Sequence, residues 1–357
     1  MGLLVLIICL GGIFLYSKVP FIPTFFINDE EISKVVQQLF DDRNRAMLQR
    51  DFETLTELYD RSTRLGQWAY EHEEKKTKYL HKWSEKQGIK FFEISPKVIT
   101  RSVKTKNQGF TLNLLVSTTY KYIYENEPDH VNQFRIGTYH VLDIIPKDEV
   151  WVIAKEWYTD PFADSLHIDE LKSADIKQYI LQQQPPDLSN LDERRKNAVA
   201  YADQYCGAAG DEESGYSYNK KYKNYNPLGG DCANFASQIL YEGGKFRKTG
   251  GWNYDKGGSR AWVNAQGFKD YMLNSGRASL IARGTYEKVY KAAYKFKPGD
   301  FVAYEKKGKI VHISVVTGVD SKGYPLVNCH NTDRYRVPWD LGWSDKGIKF
   351  WLVHVHF

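Results

Sequence analysis

Between Asp29 and Gln87 the apolar residues recur at spacings of three and four. Val35, Val36, Leu39 and Phe40 form one stripe, and Phe52, Leu55, Leu58 and Tyr59 a second. Trp68, His72, Tyr79 and Trp83 mark a third, with charged residues on the remaining faces. That is the pattern of amphipathic helices laid on a core, and Arg50-Asp51 marks a break between the first two. From Lys90 the pattern changes. Phe91 to Thr105, Phe110 to Tyr124, Gln133 to Ile145 and Val150 to Trp157 are β-branched and aromatic runs with partial alternation. Gly109, Asn126 to Asp129 and Pro146 to Asp148 punctuate them as turns. Helices followed by a long antiparallel meander predict an α+β cone over residues 29–161. Phe162 to Ser189 is polar, with Gln182-Gln183-Gln184-Pro185-Pro186, and reads as a linker (162–189) holding one short helix.

The second half, 190–357, opens on a helix with Asp192 as N-cap and Ala198, Val199, Tyr201 and Ala202 as its apolar face. A loop rich in Asn, Tyr, Pro and Gly, Tyr222 to Gly230, leads into a second helical pattern through Phe235, Ile239 and Leu240. Strand-like segments follow at Phe301 to Tyr304, Val311 to Val316 and Leu326 to His330.

The length of 357 residues favours two domains, and 42% hydrophobic with 15% aromatic residues suffices for sizeable cores. A net charge of +5, spread among interspersed acids and bases, gives no nucleic-acid footprint. Four cysteines, Cys9, Cys206, Cys232 and Cys329, make neither a disulfide framework nor a Cys-x-x-Cys metal site. A Cys206–Cys329 pair is one open possibility. No metal or cofactor is implied. Leu3 to Tyr16 is an apolar run, shorter than the ~20 residues of a comfortable span but long enough for the core of a signal peptide. Residues 1–28 therefore predict export, as a cleaved signal or an uncleaved membrane anchor; a buried helix is the bland alternative.

The chemistry concentrates at Gly229-Gly230-Asp231-Cys232. A thiol at a helix start faces unpaired N–H groups and the positive end of the dipole, and both favour the nucleophilic thiolate. The competing reading is a small buried hydrophobe. His312, in a β-rich run, is the matching general base, although a lone strand histidine is most often structural. A third residue would orient His312: His330 first, then Asn331, with Asn328 and Asp333 behind. Asp231 reads as a helix cap beside the substrate. Trp252, Trp262 and Tyr304 could line a groove or belong to the core, and Lys245 to Arg260 is a candidate lid. His140 reads as structural, and the first half offers no evident acid–base set.

The blocks Arg195 to Ala202, Asn226-Pro227, Asp231 to Gln238, Gly243-Gly244, Pro298 to Tyr304, His312 to Thr317 and His330 to Asp333 resemble an amidase domain family of Gram-positive bacteria. That family is related to the papain-like cell-wall cysteine peptidases of the CHAP and NlpC groups. One departure is Ala233, where a hydroxyl residue commonly follows the cysteine. Residues 30 to 160 resemble the nuclear-transport-factor-like superfamily in element order and in the closing strand Val150 to Trp157. The resemblance implies a papain-like α+β hydrolase domain in which Cys232 attacks an amide, its N–H helps bind the oxyanion, and a thioester forms. The implied substrate is peptidoglycan peptide, and the implied place is extracytoplasmic, anchored or secreted. The alternatives are a peptidase or acyltransferase on a non-wall substrate, or an inert surface interaction protein; the partner of the first half is open.

Overall fold

The computed structural model describes residues 28–106, 108–162, 174–345 and 347–357. The expected export segment with Cys9 and residues 163–173 of the expected linker lie outside them; among the described residues no helix is long and apolar enough to cross a membrane. The chain opens with α1 (Asp29–Gln49), α2 (Phe52–Glu57) and α3 (Arg64–Gln87). Asn28 starts α1 with a capping box closed by Glu31, and Asp51 caps α2 through the Thr54 N–H, so the break at Arg50-Asp51 is where the sequence places it. Four antiparallel strands follow: β1 (Ile89–Lys106), β2 (Gly109–Tyr124), β3 (Glu127–Lys147) and β4 (Val150–Tyr158). Beyond α4 (Ala174–Leu181) come α5 (Glu193–Gln204), α6 (Cys232–Gln238), α7 (Arg260–Val263), α8 (Ala265–Asn274), β5 (Ala278–Gly284) and α9 (Tyr286–Ala293). The chain ends in β6 (Phe301–Lys306), β7 (Lys309–Val319), β8 (Pro325–Cys329), β9 (Asp333–Pro338) and β10 (Lys349–Val355). Mixed helix and antiparallel sheet is compatible with an α+β class.

The halves do not keep separate sheets. One ten-stranded sheet runs β1-β2-β3-β9-β8-β7-β6-β10-β5, with β4 also on β3. The seam is short: Arg135, Ile136 and Gly137 of β3 face Tyr335, Arg334 and Asp333 of β9. Gly137 is required there because the turn at Gly207–Ala209 presses on it; a Cβ would lie 2.1 Å from the Ala208 carbonyl carbon.

The core is shared as well. Tyr79, Leu80 and Trp83 of α3 and Phe91 and Tyr120 of the first strands pack in one cluster with Tyr290, Trp339 and Phe350 of the second half. Beneath it Lys86 and Asp340 form a buried ion pair, and Asp340 also accepts from Trp83 Nε1 (3.1 Å) and the Tyr324 hydroxyl (2.7 Å). The polar stretch read as a linker therefore joins parts of one core. It does carry the expected short helix, α4, whose Ile176 and Ile180 enter the same cluster.

Between α1, α3 and β3–β4 the first half buries a network that no sequence pattern announces. Arg43 Nη1 donates to both carboxylate oxygens of Glu156 (2.8 and 3.0 Å), and His140 joins Glu156 to Thr138 (2.7 Å each). Lys76 bridges Glu73 (2.5 Å) and the Tyr158 hydroxyl (2.8 Å). Burial works to raise the Glu156 carboxyl, but Arg43 and His140 overcome it and hold it well below the usual range. Burial outweighs Glu156 at His140 and keeps that imidazole neutral, as a structural histidine.

Two outcomes follow from the shared core and its seam. Residues 29–161 expressed alone should fail to give a cooperative unfolding transition, since Trp83, Phe91 and Lys86 lose their cover; a sharp native-like transition in circular dichroism would contradict this. Gly137→Ala should cost about 3 kcal/mol or more through overpacking, whereas Gly250→Ala, with open space around it, should be near neutral in urea titrations.

Candidate active site

The approach to α6 is built from backbone freedom and one carboxylate. Gly229 (φ 111°) and Gly230 (φ 134°) turn the chain in the region that favours glycine, directly ahead of the helix. A Cβ on Gly230 would sit 3.2 Å from the Asn331 side-chain amide, so that residue lies over the turn. Asp231 does not cap α6 as expected. Its carboxylate instead accepts from the Tyr225 N–H (3.0 Å) and Asn234 Nδ2 (2.8 Å), and pairs with His330 Nδ1 (2.7 Å). These three contacts fix the loop, the first turn and β8 to one group.

Cys232 is the first residue of α6, buried at 7% exposure and free. The N–H groups of Ile313 and Ala233 reach its sulfur, yet burial wins, and Cys329 and Asp231 add to it: the thiol is pushed up to about 12. The helix start therefore does not yield a resting thiolate. α6 has only seven residues before a π turn at Ile239–Gly243, and desolvation exceeds the help of a few N–H groups.

His312 lies one residue before the Ile313 that touches this sulfur. Its ring lies against the stacked pair Tyr304–Trp343, tilted to Tyr304 (centroids 5.5 Å) and stacked on Trp343 (5.3 Å), and is buried at 3% exposure. Burial, with the Arg334 guanidinium, pushes it down to about 3, and its Nε2 is buried without a hydrogen-bond partner. Among the described residues no hydrogen bond joins Cys232 to His312.

None of the four candidate orienters hydrogen-bonds His312. His330 has both ring nitrogens engaged, Nδ1 by Asp231 and Nε2 by the Tyr205 carbonyl (2.7 Å), and lies flat on Phe235 of α6 at 3.6 Å between centroids. Burial acts to lower its pKa; the bond and charge of Asp231 outweigh it and raise it. Asn328 bonds Thr317, Asp203 and the Arg336 N–H. Asp333 accepts from the Ala208 N–H (2.7 Å) and the Tyr218 hydroxyl. Asn331 (φ 70°) belongs to the turn over Gly230.

The expected groove lining is core. Trp252 and Trp262 pack on each other (4.6 Å) and donate to Ser237 and Asn234 of α6 (3.0 Å each), and Tyr304 donates to the Trp339 carbonyl (2.7 Å). All three are fully buried, and Asp231 is 2% exposed. Leu228 (65% exposed), four residues before the cysteine, and Val311 (44%), directly before the histidine, are exposed apolar residues. Trp343, Tyr205 and Arg334 act on the two histidines without having shown themselves in the sequence; a tryptophan in a loop and a backbone carbonyl carry no pattern. Cys206 and Cys329 are free, and among the described residues no group of three or more His, Cys, Asp or Glu could hold a metal.

Cys232 should react with iodoacetamide more slowly at pH 7.5 than a cysteine in an unfolded peptide, rising only in strongly alkaline buffer. Mass spectrometry of the Cys232 peptide reads this, and rapid alkylation below pH 8 would contradict it. For His330 the folded pKa lies above the unfolded value of about 6.5. Its pairing thus adds stability below that value and loses it as pH rises through the folded pKa. The stability gap between the natural chain and Asp231→Asn should accordingly be larger at pH 5.5 than at pH 9.5 in urea titrations.

Residues 192–353 match the family described as "Putative amidase domain". YjcM, an uncharacterized protein of Bacillus subtilis (strain 168), is 30% identical over 169 residues, which cover 44% of this chain. The match spans only 36% of YjcM. No solved structure matches the chain. The segment that carries Cys232, His312 and His330 is thus the segment similar to an amidase domain, and that similarity points to hydrolysis of amides.

Proposed function

We propose that the second half of the chain is a cysteine-dependent amidase or peptidase, exported and acting on peptide amides of peptidoglycan, with Cys232 as nucleophile and His312 as general base. One observation carries the choice of residues. His312 Nε2 is a buried imidazole nitrogen with no partner, on the residue before Ile313, whose backbone N–H acts on the Cys232 thiol, whereas His330 has both nitrogens engaged. The amidase match supports the reaction class; the wall substrate and export rest on the resemblance and the apolar start of the sequence.

In the free protein both partners are neutral, a thiol and an imidazole. In the proposed reaction the thiol proton passes to His312 as sulfur attacks the amide carbon, giving a tetrahedral oxyanion beside the start of α6. The imidazolium then returns its proton to the leaving nitrogen, and the C–N bond breaks to leave a thioester and a free amine. Water attacks the thioester with His312 again taking a proton, releasing the acid and restoring the thiol.

The test is digestion of purified peptidoglycan by the full chain, with mass spectrometry of released fragments. Cys232→Ala and His312→Ala should each lower the rate by about 10³-fold or more, with Cys232→Ala changing stability by about 1 kcal/mol. Activity retained in Cys232→Ala ends this reading. A chain that binds wall material without releasing fragments is the inert interaction protein instead.

A further inference from the structure

Among the described residues β4 is an edge strand, and only part of its edge is covered. Ile153 turns its N–H to the Leu58 carbonyl (2.8 Å) and its carbonyl to the Asp60 N–H (2.9 Å), so the segment after α2 lies along it. A bulge between Ile153 and Lys155 then shifts the register, after which Lys155, Glu156, Trp157 and Tyr158 pair in order with Asp143, Leu142, Val141 and His140. In an antiparallel ladder every second residue points its N–H and C=O away from its partner. Continuing from Ile153 across the bulge, those residues are Glu156 and Tyr158. Their side chains turn inward to Arg43 and Lys76, and among the described residues nothing pairs with their backbone on the outer side.

That free edge opens into a cavity of about 330 Å³ between β4 and the first turns of α3, lined by Leu65, Trp68, His72, Glu156, Trp157 and Tyr158. Three of the exposed large apolar side chains of the molecule meet here: Leu65 (47%), Trp68 (52%) and Trp157 (62%). The rim is basic. Arg64 lies over the Trp68 ring at 4.2 Å, and Lys155 lines the cavity. Among the described residues neither has a carboxylate within ion-pairing distance. The Glu156 carboxylate is turned into the core on Arg43, and Asp160 is held by His72 (2.8 Å).

We propose that this groove binds a short extended peptide bearing a free carboxylate, added as a strand to the edge of β4. Backbone groups of Glu156 and Tyr158 would hold its main chain, Trp68 and Trp157 its apolar side chains, and Lys155 or Arg64 its acid group. A free edge supplies main-chain affinity and the flanking pockets supply selectivity. The uncovered stretch from Glu156 to Tyr158 spans about 10 Å, which suits three or four residues. The inference stands apart from the cysteine chemistry: its readout is binding, so its failure leaves the hydrolase reading untouched, and the reverse also holds.

The experiment is fluorescence anisotropy of the full chain with N-terminally labelled Ala-Leu-Ala-Glu. Its C-terminal amide and a version with alternate backbone nitrogens methylated are run beside it. Saturable binding is expected, weakened about tenfold or more by N-methylation and by Trp68→Ala or Trp157→Ala. Lys155→Glu should weaken the free acid more than the amide. The two tryptophans are largely exposed and Lys155 is half-buried, so the variants should keep the natural unfolding midpoint, which is measured alongside. The proposal is overturned if no saturable binding occurs up to millimolar peptide, or if N-methylated and parent peptides bind alike. Binding indifferent to both tryptophans overturns it too, as does displacement of the peptide by an N-acetylglucosamine tetramer, which would make the aromatic pair a sugar platform.

Discussion

Three residue pairs between β3 and β9 tie the molecule together, and the placement of the candidate site follows from them. Asp333 closes that seam opposite Gly137 and accepts from the Ala208 N–H and the Tyr218 hydroxyl, so the turn before it cannot drift. That turn carries Asn331 over Gly230 and His330 onto Asp231 and Phe235. Asp231 in turn fixes the loop before α6, and α6 presents Cys232. A side chain at Gly137 would push the Ala208 turn away and release the whole series. The position of the sulfur is thus set in part by a glycine of the first half.

Electrostatics in this chain are settled by burial and then by partners. Glu156 and Glu73 stay ionised in the core because Arg43 and Lys76 lie against them, and the hydroxyls of Tyr158 and Thr138 complete the bonding. Lys86 is buried with Asp340 between the halves, where burial draws its pKa down. Cys232 and His312 have no such counter-charge and rest as neutral groups. A carboxylate locked to arginine keeps its charge in the core, whereas burial without a counter-charge leaves a thiol and an imidazole neutral.

The same contrast applies to the two histidines. His330, bonded at both nitrogens, stabilises the start of α6 as a charged group. His312, positioned by aromatic faces alone, keeps a nitrogen available. Stacking on Trp343 and a tilted contact with Tyr304 fix the ring plane without occupying Nε2.

Local patterns determined the elements. The stripes at Val35 to Phe40 and Phe52 to Tyr59 mark α1 and α2 with their break at Arg50-Asp51, and three of the four β runs match β1, β2 and β4 within two residues, because period and turn residues act over short range, whereas β3 starts six residues before its run, at Glu127, within the expected turn. Asp192 caps α5, and Cys232 opens α6, for the same reason. What the sequence could not decide was which faces meet. Alternation marks Phe91 and Trp339 as buried without saying that they share a core, and the polar stretch between the halves resembled a linker because its composition is silent about contacts across it. A position just ahead of a helix suggests a cap at Asp231, and a polar position on the strand-like run after His312 suggests an orienter at His330. The tertiary structure joined them to each other, and it buried Trp252, Trp262 and Tyr304 where a groove was expected. The charge state of Cys232 was likewise a tertiary matter: a helix start favours thiolate over one turn, but desolvation is set by everything packed around the sulfur, and here it is the larger effect.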